Sequence, residues 1–594
     1  MNRPHTKRRD LIDVAMGRQK ADKILRGGKL VNVLTLEIYP ADVAIKGDRI
    51  AAVGDTKRCM GNKTEVIEAK GLYLVPGLVE PHLHSYHTYI NITNYAKAVL
   101  IHGTTAIADG FYGPGIIGGA KAVKFLLNEF KRTPLKLIFS VPTLSYLQNR
   151  ELGINPAPNS VTAEEMMKMV DWPETLGLEE PPFLPILEKD PVFLDLFDKA
   201  IEKGVTITGH AAGIDIPGLN AYVAAGAVTD HETTDVRDAI EKARVGIKVL
   251  MRQGSGAFDL KELSKALTEH RLSSRAFSFC ADLAAPEKLF YDGDISENIR
   301  VAIRAGIDPM VAVQMGTLNA AEVYNLELEI GSIAPGRIAD VLFVKDLRDF
   351  DITHVIANGE IVVQNSRFLP ELEPPKYPEY MYGTVKLRRP VVPEDFNLLA
   401  PKGKTTVKAR IIGAVDLSLY TLEKIASLKV QAGVVQPDRK KDILRIAMID
   451  RHGTKGEIGN GFVSGFKLQN GAIASSVNAV CENIIVVGTN NEDMAFAANH
   501  LARIGGGKVV VAGGKVLAQI ELPLFGLLSD EPLHTVISKF DRAYAEIKNL
   551  GCPLTSPFST LEFCCACGEI GKIKIFQGGL IDAEKVERVS VVVA

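Results

Sequence analysis

The feature that most constrains the fold of this chain is a pair of histidines that follows an apolar run and a Pro-Gly break. The run is Gly71-Leu72-Tyr73-Leu74-Val75, the break is Pro76-Gly77, and the pair is His82-Leu83-His84. The run predicts a buried strand. In an extended chain, side chains alternate between faces, so two histidines one residue apart project the same way. Their imidazoles can therefore converge on one metal ion, although such a pair alone is also compatible with ordinary polar residues at a strand end.

Similar strand endings recur downstream, between residues 76 and 325. Short apolar strands there alternate with helical stretches, and repeated units of this total length predict a (β/α)8 barrel with catalytic groups at the carboxyl ends of its strands. Taken singly, each ending has a structural explanation, such as a solvated loop acid or a helix cap. The endings after the first are Glu179-Glu180, His210, His231-Glu232, Arg252 and Asp282. Six such endings in register indicate a site.

The segments that flank this region predict a small β-domain that is split in sequence. Short β-branched runs punctuated by turns occur from Lys23 to Gly54, with Gly47-Asp48 at a hairpin position. Similar runs return from Gly331 to Val363. Runs of this kind are typical of strands joined by tight turns. One β-domain interrupted by a long insertion accounts for both segments.

We therefore expect an α/β protein of several parts. Residues 1–75 are predicted to hold a helical lead-in and the first part of the small β-domain, 76–325 the (β/α)8 barrel of a TIM-like metallo-hydrolase, and 326–368 the second part of the β-domain. A proline-rich linker over 369–393 and an additional C-terminal α/β domain over 394–594 complete the prediction. A length of 594 residues is too great for one hydrophobic core.

Composition and charge exclude several classes of partner. The formal net charge is −2, which gives no electrostatic reason to expect nucleic acid or an anionic membrane. No stretch approaches the roughly 20 apolar residues of a membrane helix, and the N-terminus lacks the apolar core of a signal peptide. We therefore expect a cytoplasmic location. Seven cysteines, an odd number, do not resemble a disulfide framework.

Two further motifs have competing explanations. Cys564-Cys565-Ala566-Cys567 is compatible with a metal or redox cluster, but no second ligand group lies near it at zinc-site spacing, which favours buried apolar thiols. Gly505-Gly506-Gly507-Lys508 is compatible with a phosphate loop, but it lacks the required spacing and precedes a strand, which favours a tight turn.

The predicted site has the donors of a dinuclear metal centre. Four imidazoles and two carboxylates match the preferences of zinc, manganese or iron(II). One natural partition gives His82, His84 and Asp282 to one ion and His210 and His231 to a second, with Glu180 bridging. Two divalent ions at such a short separation lower the pKa of a water molecule held between them. Asp282 can then take the proton of that water and return it to a leaving nitrogen.

This chemistry favours hydrolysis of a C–N bond at an electrophilic carbon. Glu232, beside His231, is expected either to hydrogen-bond or protonate a ring nitrogen, or to support its neighbour as a ligand. Arg252, in Arg252-Gln253-Gly254-Ser255, is expected either to contact the substrate or to pair with a nearby acid.

These residues resemble the amidohydrolase superfamily and, within it, the bacterial and archaeal adenine deaminase family. The resemblance extends from about residue 20 to 590 and includes a C-terminal domain that marks this family. The motifs that carry it are Pro76-Gly77, His82-Leu83-His84, Gly103-Thr104-Thr105, Leu176-Gly177-Leu178 with Glu180, Gly209-His210-Ala211, Asp230-His231-Glu232, Arg252 with Gly254-Ser255, Cys280-Ala281-Asp282, Gly471 to Ser476, Ile484 to Asn490, and Leu528 to Pro532.

The resemblance implies metal-dependent deamination of the small-molecule purine adenine to hypoxanthine and ammonia. It implies two divalent ions, commonly manganese or iron(II), with zinc as a possible substitute. Asp282 and Glu232 would be catalytic, and Arg252, Ser255 and Glu232 would bind substrate. We also expect a homo-oligomer, namely a dimer.

The chain departs from the family pattern around the expected pocket. Ser85-Tyr86-His87 replaces the usual Glu-Ser-Ser, Gly110-Phe111-Tyr112 follows Asp109 in place of Pro-His-Glu, and Leu283 replaces a second aspartate. In the C-terminal domain, Ala479-Val480-Cys481-Glu482 replaces His-Asp-Ser-His. If that domain closes over the site, Cys481 and Glu482 become candidate pocket residues.

Two alternatives follow from these departures. The altered pocket is compatible with an aminohydrolase or cyclic amidohydrolase that acts on another purine or a pyrimidine-like substrate. A non-catalytic scaffold that keeps the barrel as a binding module is the alternative from another class, and the presence of all six predicted ligands argues against it.

Overall fold

The protein contains a (β/α)8 barrel, which confirms the predicted fold class. The computed structural model describes residues 6–147, 157–565 and 570–593. Within them, the parallel barrel strands are Leu78–Glu80, Thr104–Asp109, Lys136–Pro142, Thr175–Glu179, Thr206–Ile207, Thr229–Asp230, Lys248–Arg252 and Phe277–Cys280. The first five form one sheet and the last three another. Parallel bridges Ile207 to Ala227 and Leu83 to Asp282 join the two sheets into a ring.

Helices follow the barrel strands and cover their outer face. They are Ile92–Leu100, Tyr112–Phe130, Thr143–Leu147, Ala163–Met169, Phe183–Leu187, Pro191–Lys203, Ile216–Ala225, Val236–Arg244, Leu260–Leu263, Lys265–Thr268, Pro286–Tyr291, Ile295–Arg304, Pro309–Met315 and Leu318–Val323. The helix Pro191–Lys203 illustrates how the sequence sets their ends. Asp190 accepts a hydrogen bond from the Val192 N–H at its start, and Gly204 ends it at a φ of 67°.

A small β-domain is built from two segments of the chain, one before the barrel in the sequence and one after it. Its strands are Lys23–Asn32, Glu37–Lys46, Arg49–Gly54, Glu65–Glu68 and Tyr73–Pro76 before the barrel, and Val341–Val344, Ile352–Ala357, Glu360–Gln364 and Arg367–Phe368 after it. Tyr73–Pro76 pairs antiparallel with Val341–Val344, which joins the two halves. The lead-in contains the helix Arg8–Ala15, and its residues 1–5 lie outside the described part.

The apolar run before the histidine pair forms a strand of this β-domain and is not itself the strand that leads into the site. That strand is Leu78–Glu80. The chain passes from one sheet to the other at Gly77, whose N–H donates to the Asp340 carbonyl at 3.0 Å. A Cβ atom there would lie 2.3 Å from the Thr105 hydroxyl oxygen, so only glycine is accommodated.

The C-terminal part is a mixed α/β domain. Its large sheet contains Thr406–Ala414, Thr421–Gln431, Val434–Val435, Leu444–Ile449, Ile458–Ser464, Ala472–Ser475, Ile484–Gly488, Gly507–Ala512, Lys515–Glu521 and Val592–Val593. Its helices are Asn491–Arg503, Leu533–Asn549 and Pro557–Glu562. A second sheet holds Ile573–Phe576, Gly579–Asp582 and Glu587–Val589. Gly505-Gly506 connects a helix to a strand as the predicted tight turn.

The C-terminal domain packs against the mouth of the barrel. The Ser529 N–H donates to the Tyr89 carbonyl at 2.8 Å, and the Asn94 side-chain amide donates to the Glu531 carbonyl at 2.8 Å. The Tyr89 ring stacks on Phe540 with centroids 5.4 Å apart. The C-terminal domain therefore covers the barrel near the histidine pair.

Two other predictions concern the cysteines and membrane helices. The described cysteines are all buried, as expected for apolar thiols, and Cys567 lies outside the described residues. Among the residues searched, no helix has the length and apolar character needed to cross a bilayer.

Candidate active site

The loops after the first and last barrel strands are held together around the histidine pair. Glu80 accepts hydrogen bonds from the His82 N–H at 3.0 Å and from the Ala281 N–H at 2.8 Å. The His84 N–H donates to the Asp282 carbonyl at 2.9 Å, and the Asp282 N–H donates to the His82 carbonyl at 3.1 Å. These backbone contacts fix His82, His84 and Asp282 relative to one another.

The first predicted ligand set converges in space. His82 Nε2 and His84 Nε2 lie 3.5 and 3.4 Å from Asp282 Oδ1. The ligand atoms of these three residues all lie within 4.8 Å of one another. All three side chains are buried. This spacing suits a shared divalent ion.

Glu180 lies between this group and the remaining histidines. Its Oε1 is 3.0 Å from His84 Nε2, and its Oε2 is 3.0 Å from His231 Nε2 and 3.3 Å from His210 Nδ1. Glu180 also lies 3.8 Å from His82 Nε2. Glu180 therefore lies within 4 Å of all four predicted histidine ligands.

Glu232 is closer to the second pair of histidines than the sequence alone indicated. Its Oε1 lies 3.2 Å from His231 Nε2 and 3.7 Å from His210 Nδ1. The three residues form a potential ligand group of their own within 4.8 Å. Both roles predicted for Glu232 remain compatible with this geometry.

Two of the acids are held by unusual backbone geometry. Glu180 and Asp282 have φ angles of 35° and 58°, in the left-handed region that residues other than glycine rarely adopt. Such conformations cost stability and cluster at functional sites, where the surrounding structure imposes them. The bridge between Leu83 and Asp282 and the bond from the Glu180 N–H to the Thr208 hydroxyl impose them in this protein.

The cluster is electrostatically polarised. Burial would lower the pKa of His231, but hydrogen bonds to Glu180 and Glu232 outweigh it and raise the pKa to about 10. Burial and the neighbouring His231 lower the pKa of His82 to about 4. Burial would raise the pKa of Asp282, but the hydrogen bond to His82 and the charges of His231 and Arg252 lower it to about 2. Asp282 is thus held ionised in a buried site.

The donor set meets the requirements of divalent metal ions. Imidazole nitrogens and carboxylate oxygens are the ligands that zinc, manganese and iron(II) share. His82 Nε2 and His210 Nε2 are buried without a hydrogen-bond partner of normal geometry. Buried polar atoms in that state indicate a missing ion or water. The residues therefore fit a dinuclear centre.

Arg252 connects the two acids expected to be catalytic. One guanidinium nitrogen lies 2.8 Å from Glu232 Oε2 and 3.3 Å from Asp282 Oδ2, and Nε donates to Asp259 at 3.1 Å. Of the two roles left open for Arg252, the structure displays the pairing with acids. Ser255 is buried and its hydroxyl accepts the Ala285 N–H at 2.8 Å, so it holds the loop after Asp282 and keeps its own proton to donate.

Behind His84 lie two acids, Glu179 and Asp109, whose supporting role was not predicted from the sequence. Glu179 Oε1 lies 3.4 Å from His84 Nδ1 and accepts the Gly110 N–H, while Asp109 accepts the Ser85 and Phe111 N–H groups. Partners of this kind fix the orientation of a ligand histidine. Their signal was an acid at the end of the strands Thr104–Asp109 and Thr175–Glu179.

Comparisons with known proteins match this chain over nearly its whole length. Residues 73–362 match the model of the amidohydrolase family, and residues 418–587 match that of the adenine deaminase C-terminal domain. The chain is 37% identical over 586 residues to an adenine deaminase of Moorella thermoacetica, covering 98% of each chain. It is 36% identical over 588 residues to adenine deaminase 3 of Rhizobium meliloti, again covering 98% of each.

Among solved structures, a β-aspartyl dipeptidase of Fervidobacterium islandicum AW-1 matches at a TM-score of 0.46 and 17% identity, over 59% of this chain and 99% of that one. The identity over nearly full length and the match of both family models establish the relationship. The chain belongs to the adenine deaminase family of the amidohydrolases.

Proposed function

We propose that this protein catalyses the hydrolytic deamination of adenine to hypoxanthine and ammonia. The observation that carries the proposal is the buried convergence of four histidines and three acids at one end of the barrel, in a chain that belongs to the adenine deaminase family. The residues are His82, His84, Glu180, His210, His231, Glu232 and Asp282.

The cluster would hold two divalent ions. His82, His84 and Asp282 would bind one, His210 and His231 the other, and Glu180 would contact both. When bound, such ions act as Lewis acids and make nearby water more acidic. Manganese or iron(II) is the proposed metal, and zinc is a possible substitute because it shares these ligands.

Asp282 carries out the proton transfers. Its carboxylate accepts a proton from the water that attacks C6 of the purine, and later donates it to the departing amino nitrogen. The C6–O bond forms and the C6–N bond breaks, so ammonia leaves without net proton uptake by the residue. The hydrogen bonds that hold Asp282 at a φ of 58° fix its position for both steps.

Glu232 and Arg252 prepare the ring for attack. Attack at C6 moves electron density onto the adjacent ring nitrogen, which takes up the second proton of the water. Glu232, as an ionised carboxylate, would then accept a hydrogen bond from that N–H. The Arg252 guanidinium contacts both Glu232 and Asp282 and keeps the two carboxylates in a fixed relation. Ser255 is proposed to donate its free hydroxyl proton to the substrate.

Ammonia release by protein reconstituted with manganese or iron(II) tests the proposal. The substrates are adenine, N6-methyladenine, guanine, cytosine and a dihydropyrimidine. We expect adenine to have the highest kcat/KM. Faster turnover of another member would favour the alternative that the altered pocket serves a different heterocycle, and no turnover of any member would refute the assignment.

Two further expectations accompany this proposal. We propose a homodimer and a cytoplasmic location. Sedimentation velocity on the purified chain tests the first, and fractionation of cells that express it tests the second.

A further inference from the structure

Beside the predicted metal ligands, the barrel presents polar side chains that the proposed chemistry does not use. Tyr86 and His87 follow His84 closely in sequence and are buried. The Tyr86 hydroxyl and His87 Nε2 lack a hydrogen-bond partner of normal geometry. The Tyr112 ring lies 4.7 Å from His84 and 5.0 Å from Tyr86, centroid to centroid. Aromatic contacts therefore extend from the predicted metal ligands towards the C-terminal domain.

The C-terminal domain contributes an acid to the same place. Glu482 is fully buried, and both its carboxylate oxygens lack a hydrogen-bond partner of normal geometry. Its φ is 45°, in the left-handed region also occupied by Glu180 and Asp282. Burial raises the pKa of Glu482 to about 8, and the charge of Arg451 and the Tyr86 hydroxyl offset that only in part. Burial raises the pKa of Tyr86, and the charge of the neighbouring Glu482 raises it further.

A second buried acid of this domain, Glu562, does have hydrogen-bond partners within the chain, so the lack of such partners is not common to all buried acids at this interface. Glu562 contacts Lys508, accepts the Ser475 hydroxyl at 2.7 Å and accepts the Tyr89 hydroxyl at 2.8 Å. Its carboxylate is therefore fully satisfied by the chain itself. Around Glu482, the Tyr86 hydroxyl and the Asn478 backbone lower its pKa in part, but neither makes a hydrogen bond of normal geometry to the carboxylate. A buried acid in that state destabilises the fold, so its presence points to a partner that binds from outside.

We propose that Glu482, with the Tyr86 hydroxyl and His87 Nε2, forms a recognition subsite that accepts a hydrogen bond from the five-membered-ring N–H of a purine base. The inference rests on the proposed function. A free purine carries this N–H on the ring edge remote from C6, whereas a purine alkylated at N9 has none. A carboxyl group keeps an acceptor oxygen in either protonation state. The subsite therefore selects free bases over N9-substituted purines.

Equilibrium dialysis of the metal-loaded enzyme tests the subsite without turnover. The ligands are the product hypoxanthine, which keeps the N–H, and 9-methylhypoxanthine, which lacks it. We expect wild type to prefer hypoxanthine and E482L to reduce the ratio of the two affinities about tenfold, the effect of one buried hydrogen bond. E482Q keeps an acceptor oxygen and should retain most of the preference.

E562Q is the matched control, because Glu562 is a buried acid of the same interface whose partners lie within the chain. It should keep the wild-type ratio even if its melting temperature falls. A wild-type ratio in folded, metal-loaded E482L would overturn the inference while leaving adenine deamination intact. Failure of wild type to release ammonia from adenine would instead refute the proposed function, and binding of neither base would overturn the subsite as well.

Discussion

At the scale of single residues, the fold buries several acids and keeps each of them either ionised or without a hydrogen-bond partner of normal geometry. Asp282, Glu232 and Glu180 are each surrounded by imidazoles, and Arg252 adds a positive charge beside two of them. Their positions follow from strand ends, but their protonation follows from burial and from neighbours distant in sequence. Two predictions belong to this scale.

Replacing Asp282 with asparagine removes the proposed proton shuttle and keeps the shape of the side chain. We expect D282N to lower kcat for adenine by at least about 100-fold, within the usual range for loss of a general acid or base. Metal content, measured by mass spectrometry, should stay near the wild-type value because the other ligands remain. Near-normal turnover in D282N would remove Asp282 from its proposed role.

Glu482 predicts a specific dependence of stability on pH. Its pKa rises from 4.5 to about 8 in the folded protein, chiefly through burial, so the folded state holds a proton that the unfolded state releases. Its contribution to stability is therefore present below pH 4.5 and is lost as the pH rises towards 8. The unfolding free energy of E482Q relative to wild type should increase over this interval and then level off. A difference independent of pH between 4.5 and 8 would show that Glu482 does not titrate as described.

At the scale of secondary-structure elements, the strand endings place the site. The alternation of strands and helices predicted the barrel, and the polar residues after the strands predicted a cluster that the structure brings together. The apolar character of the run Gly71 to Val75 predicted a strand, but it did not indicate which sheet that strand joins. Glu80, Glu179 and Asp109 were missed because an acid in a strand has no pattern that distinguishes a supporting residue from a solvated one.

The loops after the last two barrel strands provide a prediction at this scale. A Cβ atom on Gly254 would lie 2.1 Å from the Ala281 carbonyl oxygen and 2.3 Å from that of Leu283, on either side of Asp282. Because backbone atoms must then move, G254A should displace the catalytic loop and lower kcat about 100-fold. Circular dichroism and melting temperature verify that the barrel remains folded. Wild-type kcat in G254A would mean that the loops do not fix Asp282.

At the scale of the whole molecule, the C-terminal domain packs on the barrel near the proposed site. The sequence predicts that this domain exists. Its contact with the barrel, however, depends on packing between residues several hundred positions apart, such as Tyr89 and Glu562. Cys481 and Glu482 were therefore only conditional candidates. In the structure both are buried, and Glu482 adjoins Tyr86 of the barrel.

Within the C-terminal domain, Lys508 and Glu562 form a buried ion pair that adjoins Tyr89 of the barrel, whose hydroxyl donates to Glu562. The Lys508 ammonium also lies 3.8 Å from the centroid of the Tyr89 ring. K508M leaves Glu562 unpaired, and we expect it to destabilise the domain by about 3–5 kcal/mol. Differential scanning calorimetry measures the loss. K572M, which removes an exposed pair with Glu584, is the control and should change stability by less than about 1 kcal/mol. Equal effects of the two variants would contradict a structural role for the buried pair.

The central claim is that side chains from separate barrel strands form one dinuclear centre that deaminates adenine. Titration of metal-free protein with manganese or iron(II), followed by ammonia release from adenine and by bound metal per chain, tests it most directly. We predict that activity rises with metal and saturates at two ions per chain. Full activity without metal would contradict this account. The absence of stoichiometric metal and of ammonia release at every loading would also contradict it, and would instead indicate a non-catalytic scaffold.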